Sequence, residues 1–230
     1  MADKGLMQNA EGETPGKEQY MIYLLENTDK LDESFIKEAE PYLSKQRIER
    51  INSIRPINDK INGCAVYLLL RYGLLCEYGI TEAPVFDFGE HGKPGLRDTP
   101  EIHFNMSHAK NAVCCIVSES ETAIDITDIR PLKHNVVRRV CDEREQGIIY
   151  ASAEPDRTFL KMWTLKECLS KLSGKGMSVN FASLTDMSEG AGAVHTIEKS
   201  EYILSYYSMQ EKKIVITDKT MLLRCLRTTL

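Results

Sequence analysis

None of the seven cysteines stands in a CxxC pair and the five histidines are scattered, so the chain shows no clustered zinc ligand set. The cysteine count is odd, and Cys114 and Cys115 are neighbours inside an apolar run; reduced thiols in a cytoplasmic protein are expected. No run of about 20 apolar residues could span a bilayer, and no N-terminal apolar stretch resembles a signal peptide, so no membrane partner is expected. A basic excess is also missing. The net charge of −5 argues against a general nucleic-acid binder. Ser173 to Ser178 (SGKGMS) is glycine-rich but lacks the spacing of a Walker loop.

What remains is ordinary globular material, with 42% apolar and 27% charged residues, enough for a core without disulfides or metals. Residues 1–18 are polar and aperiodic, a flexible N-terminal tail. A strand is expected over Tyr20–Leu25 and helix-favouring sequence over 33–52. A long helix is expected over Asp59–Tyr78, where apolar residues recur at three and four, with Gly79 as its stop. Strands follow at Val85–Phe88, Ile102–Met106 and Ala112–Val117. Glu121–Ile126 is expected to pair with the last of these as a hairpin across Ser118–Ser120. Helical sequence then covers Asn135–Ala151 and Thr158–Ser173, before strand-like runs near Tyr202–Met209, Ile214–Thr217 and Met221–Leu226. Each half runs helix first and strands second, which suggests two similar α+β lobes: an N-terminal lobe 19–120 and a C-terminal lobe 121–230.

Two segments carry chemistry. In a strand over Ala123–Thr127, Ile124 and Ile126 face one side, while Ala123, Asp125 and Thr127 face the other. A mid-strand Asp is disfavoured; it is either on a solvated face or a metal ligand beside a phosphate. On the helix 158–173, Met162, Leu165, Leu169 and Leu172 form an apolar stripe. Trp163, Glu167 and Lys171 line up at steps of four roughly opposite it, with Lys166 between the two faces. Glu167 and Lys171 alone would read as an exposed ion pair. With Trp163 beside them, a face packed against a cleft is the better reading.

The motifs resemble those of the Sfp-type 4'-phosphopantetheinyl transferase family. Phe104–His108 (FNMSH) resembles its FN-x-SH motif, and Ala123–Thr127 (AIDIT) its G-[IV]-D-[IVL]-x strand. Trp163–Cys168 (WTLKEC), with Lys171 and Gly174–Gly176, resembles W-x-x-KE-[SA]-x-x-K with its trailing GKG. Gly92–Pro94 resembles the GKP turn upstream. The resemblance implies two similar α+β lobes in pseudo-twofold arrangement within one chain, a monomer, with coenzyme A bound between them. It implies transfer of the 4'-phosphopantetheine arm of coenzyme A to a serine of an apo acyl or peptidyl carrier protein, releasing adenosine 3',5'-bisphosphate, with Mg²⁺.

The roles that it implies are these. Asp125 and Glu167 hold Mg²⁺ against the pyrophosphate, and Glu167 takes the proton of the carrier serine. Lys166 and Lys171 contact phosphates and act catalytically by neutralising charge as the P–O bond breaks. Ser107 and His108 meet the 3'-phosphate region, Lys93 and Pro94 lie by the nucleotide, and Arg47, Arg50 and Arg71 fall where the family has basic coenzyme-contacting residues. This chain has Thr127 where many members carry a second strand carboxylate; Thr127 could hold a metal-bound water but brings no charge. That leaves, beside the active transferase, a degenerate relative that binds coenzyme A or a carrier protein without transfer. Retention of Asp125, Lys166, Glu167 and Lys171 favours the enzyme, because a binding module needs no base.

Overall fold

The computed structural model describes residues 21–174, 192–209 and 213–229; the tail 1–18 and the glycine-rich residues 175–178 lie outside them. The order is β1 (Met21–Glu26), α1 (Glu33–Ala39), α2 (Lys45–Ser53), α3 (Ile57–Tyr78), β2 (Phe86–Phe88), β3 (Pro94–Leu96), β4 (His103–His108), β5 (Ala112–Ser118) and β6 (Ala123–Asp128). Then come α4 (His134–Val140), α5 (Glu143–Ala151), α6 (Pro155–Ser173), β7 (Ala193–Glu198), β8 (Tyr202–Ser208), β9 (Lys213–Thr217) and α7 (Lys219–Leu226). The architecture is mixed α+β.

The strands make a four-stranded sheet in the order β4-β5-β1-β9, a three-stranded sheet β6-β8-β7 and the short hairpin β2-β3. Four layers result. On one face of the larger sheet, Tyr23, Leu25, Val113, Cys115 and Val117 pack with Leu68, Leu69 and the rest of α3. On its other face, Ile22, Leu24, Cys114 and Ile116 meet Ile124, Ile126, Leu204 and Tyr206 of the smaller sheet. The far side of the smaller sheet is covered by α6, with Ile203 against Phe159 and Leu160. Burial on both faces explains why β5 reads as an unbroken apolar run rather than an alternating one. Packing against α1, α2 and α7 as well as the sheet explains why α3 is apolar around most of its surface.

Helix ends follow local chemistry. Gly79 ends α3 at φ 67°, its N–H donating to Leu75 O and that of Ile80 to Leu74 O. The expected single helical region 135–151 is two helices, because Asp142 and Glu145 form a reciprocal capping box that starts α5. Two strand expectations are corrected. β6 does not pair with β5, whose two edges are taken by β1 and β4; it pairs antiparallel with β8, Asp125 opposite Ser205. Residues 221–226 are helical: Asp218 caps α7 by accepting from Met221 N–H, and Leu222, Leu223 and Leu226 bury at helical spacing. β9 lies parallel to β1, so the last strand extends the larger sheet.

Candidate active site

β6 and β4 are edge strands of different sheets that run side by side, and side chains do the work of a ladder between them. Asn105 Oδ1 accepts the Ile124 N–H at 3.2 Å, and Ser107 Oγ accepts the Ile126 N–H at 3.4 Å. Both come from the FN-x-SH segment. Satisfying buried backbone donors in this way lets the seam between the sheets close without water.

Asp125 stands at that seam on the α6 side of β6, only 7% exposed. Its Oδ1 accepts from Ser107 Oγ at 2.9 Å and from Lys171 Nζ at 2.7 Å. Lys171 Nζ also donates to Ser107 Oγ at 2.9 Å and to the Ile124 carbonyl at 3.0 Å. Helix α6 brings Lys171 here because its sheet-facing side carries the small, fully buried Thr164 and Cys168. Burial pushes the Cys168 thiol up to about 12, so it is an inert spacer rather than a nucleophile.

Glu167, one turn before Lys171, has its pKa raised by burial first and by the Asp125 carboxylate second, with Lys171 opposing. It lines a cavity of about 270 Å³ between α6 and the turn before β3, together with Lys93, Pro94, Asn105, Met106 and Lys171. Gly92 takes φ 78° in that turn, and Lys93 Nζ donates to the Leu172 carbonyl at 3.1 Å, tying the turn to the end of α6. On the other flank, a cavity of about 380 Å³ is lined by Asn58, Asp59, Asn62, His108, Thr127 and Arg130. The His108 pKa is lowered, chiefly by desolvation, with Lys171 and Arg47 adding and Asp59 opposing. Asp125 therefore sits between two cavities, flanked by Glu167 on one and Thr127 on the other.

Asp125, Glu167, Lys171, Ser107, His108, Thr127, Lys93 and Pro94 are thus brought together. Three expected coenzyme-contacting residues are not. Lys166 is fully buried and points away from Asp125: its Nζ donates to Glu145 Oε2 at 2.6 Å and to the Val140 carbonyl at 2.8 Å, joining α6 to α5 and the end of α4. Arg71 is 5% exposed on α3, and its guanidinium donates to the Tyr42 and Thr81 carbonyls and to Thr229 Oγ1. Arg50 is exposed at the far end of α2 and lines neither cavity. Arg47 is intermediate. Its guanidinium donates to the Gly63 carbonyl and lies over the Tyr67 ring, yet its charge reaches His108.

The expected apolar stripe of α6 is also corrected. Of Met162, Leu165, Leu169 and Leu172 only Leu169 is fully buried, and Trp163 packs with Phe159 in the core formed with α4 and α5. The helix is covered on several sides, which a single-stripe reading cannot represent. Sequence reasoning missed Asn105 as a strand-edge cap, and Asn58, Asp59 and Asn62 as cavity lining; the cluster of polar residues opening a largely apolar helix was the available signal.

Residues 121–218 match the family model of the 4'-phosphopantetheinyl transferase superfamily. That segment is less than half of the chain. It contains Asp125, Trp163, Glu167 and Lys171. The chain is 27% identical over 169 residues to the 4'-phosphopantetheinyl transferase psf-1 of Bacillus pumilus, covering 72% of each chain. It is 27% identical over 168 residues to the 4'-phosphopantetheinyl transferase gsp of Aneurinibacillus migulanus, covering 71% of this chain and 70% of that protein. To the 4'-phosphopantetheinyl transferase Sfp of Bacillus subtilis it is 29% identical over 121 residues, 51% of this chain and 54% of Sfp. The similarity to the first two extends upstream of the superfamily segment, into the half that supplies Ser107 and His108.

The donor chemistry fits the metal that this superfamily resemblance implies. Asp125, Glu167 and Thr127 offer oxygen atoms alone, suited to Mg²⁺, which keeps waters and shares one or two carboxylates with substrate phosphates. Among the described residues no group of three or more His, Cys, Asp or Glu side chains is placed to hold a metal ion.

Proposed function

We propose that the chain transfers the 4'-phosphopantetheine arm of coenzyme A to the serine hydroxyl of an apo acyl or peptidyl carrier protein. The observation that carries this reading is the cluster of Asp125, Glu167 and Lys171 between two cavities, inside the superfamily segment. Coenzyme A is long and carries a pyrophosphate and a 3'-phosphate; one cavity lined by Glu167 and Lys171 and a second lined by His108 and Thr127, on the two flanks of Asp125, suit such a ligand.

Asp125 and Glu167 would hold Mg²⁺, with Thr127 reaching it through water, and the ion would supply charge neutralisation at the pyrophosphate. Lys171 meets the charge that develops on the leaving phosphate as the P–O bond breaks. Glu167 accepts the serine proton, directly or through a water; its raised pKa suits a base. The serine oxygen bonds to the phosphorus that bears the pantetheine arm, and adenosine 3',5'-bisphosphate leaves. His108 and Ser107 orient the nucleotide phosphates, and Lys93 and Pro94 border the nucleotide, with Arg47 adding positive potential. Lys166, Arg50 and Arg71 have no part in this reading.

The two sheets, each backed by a long helix, support two lobes near 19–120 and 121–230, with β9 and α7 returning to the first. A single chain lines both flanks of the cluster, which favours a monomer. Seven free thiols support a reducing, cytoplasmic setting, and no described helix is long and apolar enough to cross a membrane. The test is incubation with coenzyme A, Mg²⁺ and several apo carrier proteins, followed by intact-mass measurement. A phosphopantetheine gain is expected with the wild type and none with Glu167→Ala. No gain on any carrier would sink the proposal.

A further inference from the structure

The Lys171 ammonium has three hydrogens, and three protein acceptors surround it: Asp125 Oδ1 at 2.7 Å, Ser107 Oγ at 2.9 Å and the Ile124 carbonyl at 3.0 Å. A lysine engaged in this way has no donor left over for a phosphate. One oxygen of Asp125 takes both Lys171 and Ser107, and the residue is almost fully enclosed. On the neighbouring β6 position, Thr127 adds no negative charge. A divalent cation that approaches Asp125 in the free protein therefore meets a cation already in contact with the carboxylate.

We propose that Lys171 is the resident counter-ion of Asp125, and that a divalent cation enters only together with a diphosphate ligand that draws the ammonium off the carboxylate. The second part rests on the coenzyme A reading above. A diphosphate offers Lys171 more acceptor oxygens and more negative charge than the three groups that it leaves, and the flexible lysine stem allows the exchange. Ser107 is a positioning residue here. Its hydroxyl donates to Asp125 while accepting from Lys171 and the Ile126 N–H, so it holds carboxylate and ammonium in register.

The probe is Mn²⁺, followed by the electron paramagnetic resonance of the free ion and requiring no turnover. Wild-type protein alone is expected to bind it weakly. Lys171→Gln keeps amide donors near Asp125 but removes the charge, and its affinity should rise about tenfold or more, since a divalent ion no longer faces a cation a few ångströms away. Lys171→Met should do the same, and circular dichroism confirms that each variant is folded. Adding Asp125→Asn to Lys171→Gln should abolish the gain. Coenzyme A should raise Mn²⁺ affinity in the wild type far more than in Lys171→Gln. Equal Mn²⁺ binding by the free wild type and both Lys171 variants overturns the proposal. If calorimetry finds no coenzyme A binding, the diphosphate half falls with the substrate reading, while the comparison on free protein still decides the counter-ion half.

Discussion

Replacing Lys166 with methionine separates a scaffold role from a phosphate-binding one. The Lys166 and Glu145 side chains are 1% and 10% exposed and meet at 2.6 Å. Methionine fills a similar volume but leaves Glu145 Oε2 with the Asp142 N–H at 2.9 Å and strips the Val140 carbonyl of the ammonium. Breaking one side of a buried ion pair costs about 3–5 kcal/mol, because a charge stays enclosed without its partner. For a chain of this size, that lowers the melting temperature by about 6–20 °C, at about 2–4 °C for each kcal/mol. Combining Lys166→Met with Glu145→Gln removes both charges while keeping an acceptor for the capping box, and should recover the loss to within about 1–2 kcal/mol of the wild type. Urea melts supply the stabilities, with an unchanged slope as the check that the unfolding reaction is the same. Calorimetry on the folded variants supplies coenzyme A affinity, which should stay near the wild-type value. The reasoning fails if Lys166→Met melts within about 1 kcal/mol of the wild type yet loses coenzyme A binding.

Gly174 ends α6 at φ 66°, and a Cβ there would lie 3.4 Å from Lys93 Cδ. Gly174→Ala places an L residue at that positive φ and should cost about 1–2 kcal/mol in a urea melt, the contact with Lys93 being an ordinary one; a melt that matches the wild type would refute the strain. His108 has a lowered pKa and is neutral at neutral pH. A phosphate held by its imidazolium must therefore bind with proton uptake, so affinity is strongest below the free-state pKa and falls as pH rises through it toward the higher pKa of the complex. Calorimetry in two buffers of different ionisation enthalpy reads the uptake. His108→Ala should abolish it, and a wild type without uptake would remove His108 from phosphate binding.

The helix 57–78 and the strands flanking Asp125 were legible because periodicity and glycine stops are local signals. The motif residues were legible too, since Ser107, Asp125, Glu167 and Lys171 each sit in a short pattern that names its own element. Partner choice was not. The β6 strand looked like the return arm of a hairpin with β5, and nothing local says that both edges of β5 are already taken. Residues 221–226 are apolar enough for a strand, and the helix there depends on the Asp218 cap and on burial.

Lys166 and Lys171 show where the boundary lies. By itself, the sequence determined that one helix carries Glu167, Lys171 and Lys166 within two turns, and that a strand carries Asp125 with Thr127 beside it. Tertiary structure alone decided which lysine faces the carboxylate. Five residues around a helix turn two side chains well apart, so Lys166 enters the α4–α5 interface while Lys171 meets Asp125. Which direction is the site, and which the scaffold, depends on what packs against each face of the helix, and that is a property of the assembled layers.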